Sequence, residues 1–253
     1  MSGLPLRVAM TRDEGPDGEL ARALRARGLD PVSCPAVTTA PSPEQARLED
    51  SARHVERYDW LVVASARAVV ALIDARNGAP LPAALRTAAV GQRTAAVLVE
   101  NGAHAPLTAA RAGATALLDV LAAAGPWTGR RCLLPRALDG GRALADALRR
   151  LGADVDEVAA YRTVERPAAE IATAWRLARP EAAVVASPSV ANALVHAVGV
   201  PELQRLVVLV AIGETTLAAL AALGLTAVMS PRADFESVAE TLSCFAEEKG
   251  LRK

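Results

Sequence analysis

Aromatic side chains are scarce in this 253-residue chain: Phe, Trp and Tyr make up 3% of it, while 52% of residues are apolar, much of that alanine. Such a composition favours close-packed helices on a sheet over a bulky aromatic-lined groove. Net charge is missing too, because 28 Lys and Arg meet 28 Asp and Glu. Without a basic field, nonspecific nucleic-acid binding has no driving force. The three cysteines, Cys34, Cys132 and Cys244, are odd in number and lack any C-x-x-C spacing. That argues against disulfides and a zinc site, and buried thiols in a reducing cytoplasm are expected. His54, His104 and His196 lie far apart, which offers no metal site and no histidine base. No G-x-G-x-x-G, P-loop or G-x-S-x-G elbow is present. The longest nearly uncharged run, Leu206 to Leu225, is broken by Gly213 and Glu214, and Met1–Arg7 has no apolar leader. Neither a membrane span nor a secretory signal is therefore expected.

What the chain does contain is a regular alternation. Short apolar runs at Leu6–Thr11, Asp59–Ala64, Thr87–Val90, Arg131–Leu134, Ala182–Ala186 and Leu206–Ile212 read as buried strands. Helical patterns follow them, with Gly28, Gly102 and Gly152 placed as stops. The extended segments Leu29–Val37 and Val155–Val164 interrupt the rhythm, and a last helix is expected over Glu236–Glu247. Strands alternating with helices of about ten residues imply βα units on parallel sheets.

The series runs twice. Ser65 and Ser187, Gly91 and Gly213, Thr94 and Thr216, and Gly102 and Gly224 all keep an offset of 122 positions. The first βα unit repeats at an offset of 124, pairing Arg12 with Arg136, Leu20 with Leu144, Leu24 with Leu148 and Gly28 with Gly152. An internal duplication accounts for both sets. Periodicity alone allows two contiguous halves, or an exchange in which each first βα unit joins the remainder of the other half.

Six strand-to-helix turns carry small hydroxyls and arginines: Thr11-Arg12, Ser65-Ala66-Arg67, Gly91-Gln92-Arg93-Thr94, Pro135-Arg136, Ser187-Pro188-Ser189 and Gly213-Glu214-Thr215-Thr216. Ligands of parallel sheets bind beyond the carboxyl ends of the strands, where these turns fall. Ser and Thr there are also ordinary N-caps, and a threonine is expected to cap the helices after Gly91 and Gly213. Together the turns suit a polyanion met by helix N-termini, which needs no basic surface. A carboxylate at Glu214 competes with such a ligand, making that turn the weaker of its pair.

Six stretches stand out in order and spacing: Met10-Thr11-Arg12, Ala64-Ser65-Ala66-Arg67-Ala68-Val69, Val90-Gly91-Gln92-Arg93-Thr94-Ala95, Gly152-Ala153 leading to Ala160-Tyr161-Arg162-Thr163, Ala186-Ser187-Pro188-Ser189, and Ile212-Gly213-Glu214-Thr215-Thr216. Through them the chain resembles, over nearly its full length, the uroporphyrinogen-III synthase family. The chain departs from the family at Ala64, Ala186 and Glu214. The resemblance implies the exchanged arrangement: two α/β domains, 1–36 with 168–253 and 37–167, joined by a two-stranded linker near 35–41 and 160–168. It implies dehydrative closure of the linear tetrapyrrole hydroxymethylbilane, an octacarboxylate, with inversion of ring D. No cofactor or metal is implied. Tyr161 is the implied proton donor. The substrate-contacting residues would be Thr11, Arg12, Ser65, Ala66, Arg67, Gly91, Arg93, Thr94, Arg136, Ser187, Pro188, Ser189, Gly213, Thr215 and Thr216, gathered on a cleft between the domains. A cytoplasmic monomer without nucleic-acid or membrane partners is expected. The duplicated layout also permits a two-domain module that binds an anionic small molecule without chemistry.

Overall fold

Strands covered on both faces must be apolar at every position rather than at alternate ones, and the central strands Trp60–Val63, Ala182–Val185 and Val208–Ala211 are. In the computed structural model, which describes residues 5–15, 17–109 and 114–249, they form two sheets. Met1–Leu4, within the stretch where no leader is expected, lie outside the described residues.

The elements run β1 (Arg7–Met10), α1 (Glu19–Ala26), β2 (Asp30–Ser33), β3 (Val37–Pro41), α2 (Gln45–Arg53), β4 (Trp60–Val63), α3 (Ala66–Ala75), β5 (Arg86–Ala89) and α4 (Gln92–Glu100). They continue with β6 (Leu107–Thr108), α5 (Ala114–Ala123), β7 (Arg131–Ala137), α6 (Ala143–Arg150), β8 (Asp154–Glu165), α7 (Ala168–Ala178), β9 (Ala182–Val185) and α8 (Pro188–Val198). The last are α9 (Val200–Leu203), β10 (Val208–Ala211), α10 (Glu214–Ala222), β11 (Val228–Met229) and α11 (Phe235–Glu248).

The chain divides into two compact units, one of Met1–Thr38 with Val164–Lys253, the other of Thr39–Thr163. The first holds a sheet ordered β2-β1-β9-β10-β11 and the second a sheet ordered β3-β8-β7-β4-β5-β6. Apart from β3 at the edge, the two orders correspond strand for strand under the repeat offsets. Each is a parallel 2-1-3-4-5 sheet, whose crossover direction reverses between its first and third strands. In each unit the first strand and the strand beside it come from different halves of the repeat. The chain passes between the units within β3 and within β8, which are sheet neighbours.

Side chains alternate between two cores in each unit. In the first, Ala9, Ala183, Val185 and Leu209 face α7, α8 and α10, while Val8, Met10, Ala182, Val184 and Val210 face α1 and α11. In the second, Leu61, Val63, Ala89 and Leu133 face α2, α3 and α4, and Trp60, Val62, Cys132 and Leu134 face α5 and α6. The repeated glycines hold matching positions, with φ at Gly28 +64°, Gly152 +98°, Gly102 +95° and Gly224 +75°. Only glycine takes these left-handed helix exits without strain.

A clamp also repeats. The Arg131 amide donates to Asp59 Oδ2 at 2.9 Å, and the Asp59 amide donates to the Arg131 carbonyl at 2.9 Å. In the other unit the Arg7 amide donates to Glu181 Oε2 at 3.0 Å, and the Glu181 amide to the Arg7 carbonyl at 2.8 Å. Asp59 and Glu181 thus head β4 and β9 and hold each to the first strand of its sheet. The Arg131 amide and the Arg130 guanidinium together hold the Asp59 carboxyl below its ordinary range.

Four elements go beyond the sequence expectation: the two-residue strands β6 and β11, the short α9, and α7. The caps differ as well. Gly91 and Gly213 are themselves the N-caps of α4 and α10, with no side-chain cap bond, so the threonines lie inside the first turn. Cys34 and Cys132 are buried as expected, each thiol pushed up to about 12 by burial. Cys244 is exposed, a correction to its expected burial. Among the described residues no helix is long and apolar enough to cross a membrane.

Asp59→Ala removes the acceptors at the head of β4 and should cost about 2 kcal/mol. Asp59→Asn, which keeps one oxygen, should cost less. Urea unfolding followed by circular dichroism checks both, and equal midpoints for Asp59→Ala and the parent chain would refute the clamp.

Candidate active site

Register decides which turns meet. Val63 pairs with Ala89 and Val185 with Ala211, and the next ladder bonds, from Val90 to Val63 and from Ile212 to Val185, carry each pair forward. Ser65 therefore emerges beside Gly91 in one unit and Ser187 beside Gly213 in the other. In the first unit the end of β1 also lies alongside β9, so Thr11-Arg12 and Ser187-Pro188-Ser189 flank the point where crossover direction reverses.

Both serines cap a helix. Ser65 Oγ accepts from the Ala68 amide at 3.3 Å and Ser187 Oγ from the Val190 amide at 3.4 Å. Ser187 Oγ also lies 2.9 Å from Ser189 Oγ. Ser65 Oγ instead lies 3.2 Å from the phenol oxygen of Tyr161.

Tyr161 reaches this position because of a bulge. Arg136 pairs with Ala159, but Ala137 pairs with Tyr161, leaving Ala160 as an extra residue on β8. Strict alternation would place Tyr161 with Val155 and Glu157, on the face covered by α5 and α6. The extra residue moves it to the opposite core, where Val158 and Ala160 pack and where α3 begins. The Leu138 amide donates to the Tyr161 carbonyl at 2.8 Å and fixes the shifted register.

The phenol borders a pocket of about 710 Å³. Ala66, Arg67, Arg93 and Tyr161 were anticipated on its walls; Val70 and Val97 were not. They stand one helical turn beyond Ala66 and Arg93, so helical spacing would have found them. The pocket combines apolar walls with two guanidinium groups, Arg93 being exposed and Arg67 half-buried, and the Asp74 carboxylate also lines it.

Other expected contacts are occupied by the fold. Thr11 is 1% exposed and its hydroxyl donates to the Val184 carbonyl at 2.5 Å, binding β1 to β9. Thr94 and Thr216 are buried in their helices, so from these three residues only backbone could meet a ligand. Arg136 pairs with Glu157 at 2.9 Å, both side chains 12% exposed. Its Nη1 donates to the carbonyls of Ala137, Leu138 and Gly140, so the arginine shapes the loop after β7 rather than reaching outward. Its repeat partner Arg12 lies 5.7 Å over the Phe235 ring and 4.0 Å from Glu14. Gly213 and Thr215 stand at the start of α10 beside Glu214, Thr215 and Glu214 exposed. Among the described residues no three His, Cys, Asp or Glu side chains gather as a metal would need.

A family model described as uroporphyrinogen-III synthase HemD matches residues 18–240. The chain belongs to the uroporphyrinogen-III synthase family. A uroporphyrinogen-III synthase of Synechococcus elongatus is 32% identical over 160 residues, 61% of this chain and 59% of that protein. The porphyrin biosynthesis protein HemD of Ruminiclostridium josui is 27% identical over 100 residues, 38% of this chain and 20% of that protein. These matches thus span less than two thirds of either relative's length. Two solved structures share the fold. The uroporphyrinogen-III synthetase of Helicobacter pylori has TM-score 0.63 at 17% identity, covering 94% of this chain and 98% of that one. A mutant uroporphyrinogen III synthase of Thermus thermophilus has TM-score 0.54 at 18% identity, covering 96% and 99%.

Within this member of the uroporphyrinogen-III synthase family, the Arg136–Glu157 pair is the most buried ion pair among the described residues. Burial pushes the Glu157 carboxyl up, but hydrogen bonds from Arg149 and Arg136, with their charges, outweigh it and hold the group below its ordinary 4.5. A depressed folded-state value means that this stabilisation is complete above pH 4.5 and is lost as pH falls through the depressed value. Glu157→Gln should therefore be less stable near neutrality and should flatten the acid-side loss. Thermal melts across that range check the slope, and parallel curves for the two proteins would contradict the assignment.

Proposed function

We propose that this chain is a uroporphyrinogen-III synthase, closing hydroxymethylbilane to uroporphyrinogen III with inversion of ring D. The observation that carries the reading is the half-buried Tyr161 phenol, turned by a bulge onto a pocket whose walls include Arg67 and Arg93. Apolar side chains there suit the face of a pyrrole, and the two guanidinium groups suit its carboxylates.

Closure begins with loss of the terminal hydroxyl. The Tyr161 O–H bond breaks as its proton moves to the hydroxyl oxygen, and the carbon–oxygen bond breaks with its electron pair leaving in water. A cationic methylene and a phenolate remain, so charge balances. A phenol of pKa about 10 in its free form is a weak donor, but a positioned one can serve a leaving hydroxyl. The choice between isomers then rests on how ring D is held when the new carbon–carbon bond forms, and each tenfold of preference takes about 1.4 kcal/mol.

The carboxylates of the bilane are met, in this reading, by first-turn amides of α4 and α10, whose glycine caps supply no side-chain acceptor of their own. The turns at Thr11-Arg12, Ser65-Ala66-Arg67 and Ser187-Pro188-Ser189 add further contacts. Glu214 weakens the α10 turn. The enzyme works without cofactor or metal as a cytoplasmic monomer, with no nucleic-acid or membrane partner.

Purified protein given freshly made hydroxymethylbilane should yield the type III isomer by chromatography. Type I alone, at the uncatalysed rate, would end the enzymatic reading. Tyr161→Phe should lower turnover about a hundredfold while the melting temperature stays within a few degrees. Unchanged turnover would remove the phenol from the chemistry.

A further inference from the structure

Ser65 has one O–H to donate and two lone pairs to offer. One lone pair is taken by the Ala68 amide, 3.3 Å away, as the helix α3 cap. The other contact of the oxygen is the Tyr161 phenol at 3.2 Å. Only two arrangements satisfy this pair. In one the phenol donates to Ser65, spending its own proton inside the protein. In the other Ser65 donates to the phenol oxygen, and the phenol proton turns to the pocket.

We propose that Ser65 is a positioning residue for Tyr161, donating its hydroxyl hydrogen bond to the phenol oxygen so that the phenol proton faces the substrate. The inference rests on the acid role given to Tyr161 above. Binding of the bilane hydroxyl selects the second arrangement, because it supplies the acceptor that the phenol proton then meets. As that proton leaves, negative charge grows on the phenol oxygen, where the Ser65 donor already points. A donor fixed before the charge develops stabilises the transition state more than the ground state. The cap and the bulge cooperate in this. The cap holds the serine at the head of α3 on one side, and the extra residue Ala160 brings the phenol across from β8 on the other. The twin serine, Ser187, caps α8 in the same way but faces Ser189 rather than a phenol. The arrangement is thus a property of one copy of the repeat, added to a cap that both copies keep.

The test is steady-state conversion of hydroxymethylbilane by the full chain, with type I and type III products separated. Ser65→Ala should lower kcat about tenfold or more with KM changed less than about twofold, and Ser65→Thr, which restores a hydroxyl, should recover most of the rate. In a Tyr161→Phe background Ser65→Ala should cost no further kcat. Asp234→Ala, which removes the side-chain cap of α11, supplies a control for lost helix stability and should leave kcat unchanged. The proposal is overturned if Ser65→Ala acts equally with and without the phenol, if it raises KM alone, or if Asp234→Ala reproduces its effect. A parent chain that forms no type III isomer overturns the enzymatic reading and this one with it. An active parent with an unaffected Ser65→Ala overturns this proposal alone.

Discussion

Each sheet is held at its centre by an acidic residue that clamps a strand from a distant part of the chain. Glu181 receives the amide of Arg7, 174 positions away, and Asp59 receives that of Arg131, 72 positions away. From these clamps the ladders of β1 with β9 and of β7 with β4 run on across the point where crossover direction reverses. The turns that carry the candidate site all depend on this junction. Thr11 follows β1 and spends its hydroxyl on β9. Arg136 is the last residue but one of β7 and spends its guanidinium on the neighbouring strand and the loop that follows. Residues closest to the junction therefore build it, and the groups left for a ligand stand one step further out, at the heads of α3, α4, α8 and α10.

Duplication supplied two copies of this frame, but the copies have drifted apart in chemistry. The position that the 124-residue offset pairs with Tyr161 is Val37, which is buried and apolar. Only the unit built on β7 and β4 carries a phenol beside its capping serine. The symmetric features that persist, the caps and the left-handed glycines, are those that backbone geometry demands in both units.

Most of the frame was legible in the sequence because burial on both faces writes apolar runs, and because glycine stops and serine caps leave fixed marks. Strands β6 and β11, two residues each, fall below the length at which any period shows. Helix α7 shows its packing face only through Ile171 and Trp175, too little to stand out in an alanine background. The site was legible as a set of turns but not as a set of roles. Arg136 and Arg67 look alike in sequence, yet one is tied to Glu157 and the other borders the pocket. The face on which Tyr161 lies could not be read either, because one unpaired alanine reverses the alternation and carries no signature of its own. Gly91 and Gly213 were seen as turn residues, while their use as caps moved the threonines into the helices.

The exchange of first βα units has a consequence for synthesis. β1 and α1 leave the ribosome well over a hundred residues before β9 exists, which at roughly 5–20 residues per second is on the order of ten seconds or more. In that interval the chain makes β4, the repeat counterpart of β9, with a similarly apolar edge and its own acidic residue at the head. β4 thus presents to the nascent β1 the same kind of apolar edge and acidic head that β9 presents in the finished fold. Pairing of β7 with β4 closes that edge in the finished fold and leaves β1 to the strand made last, β9.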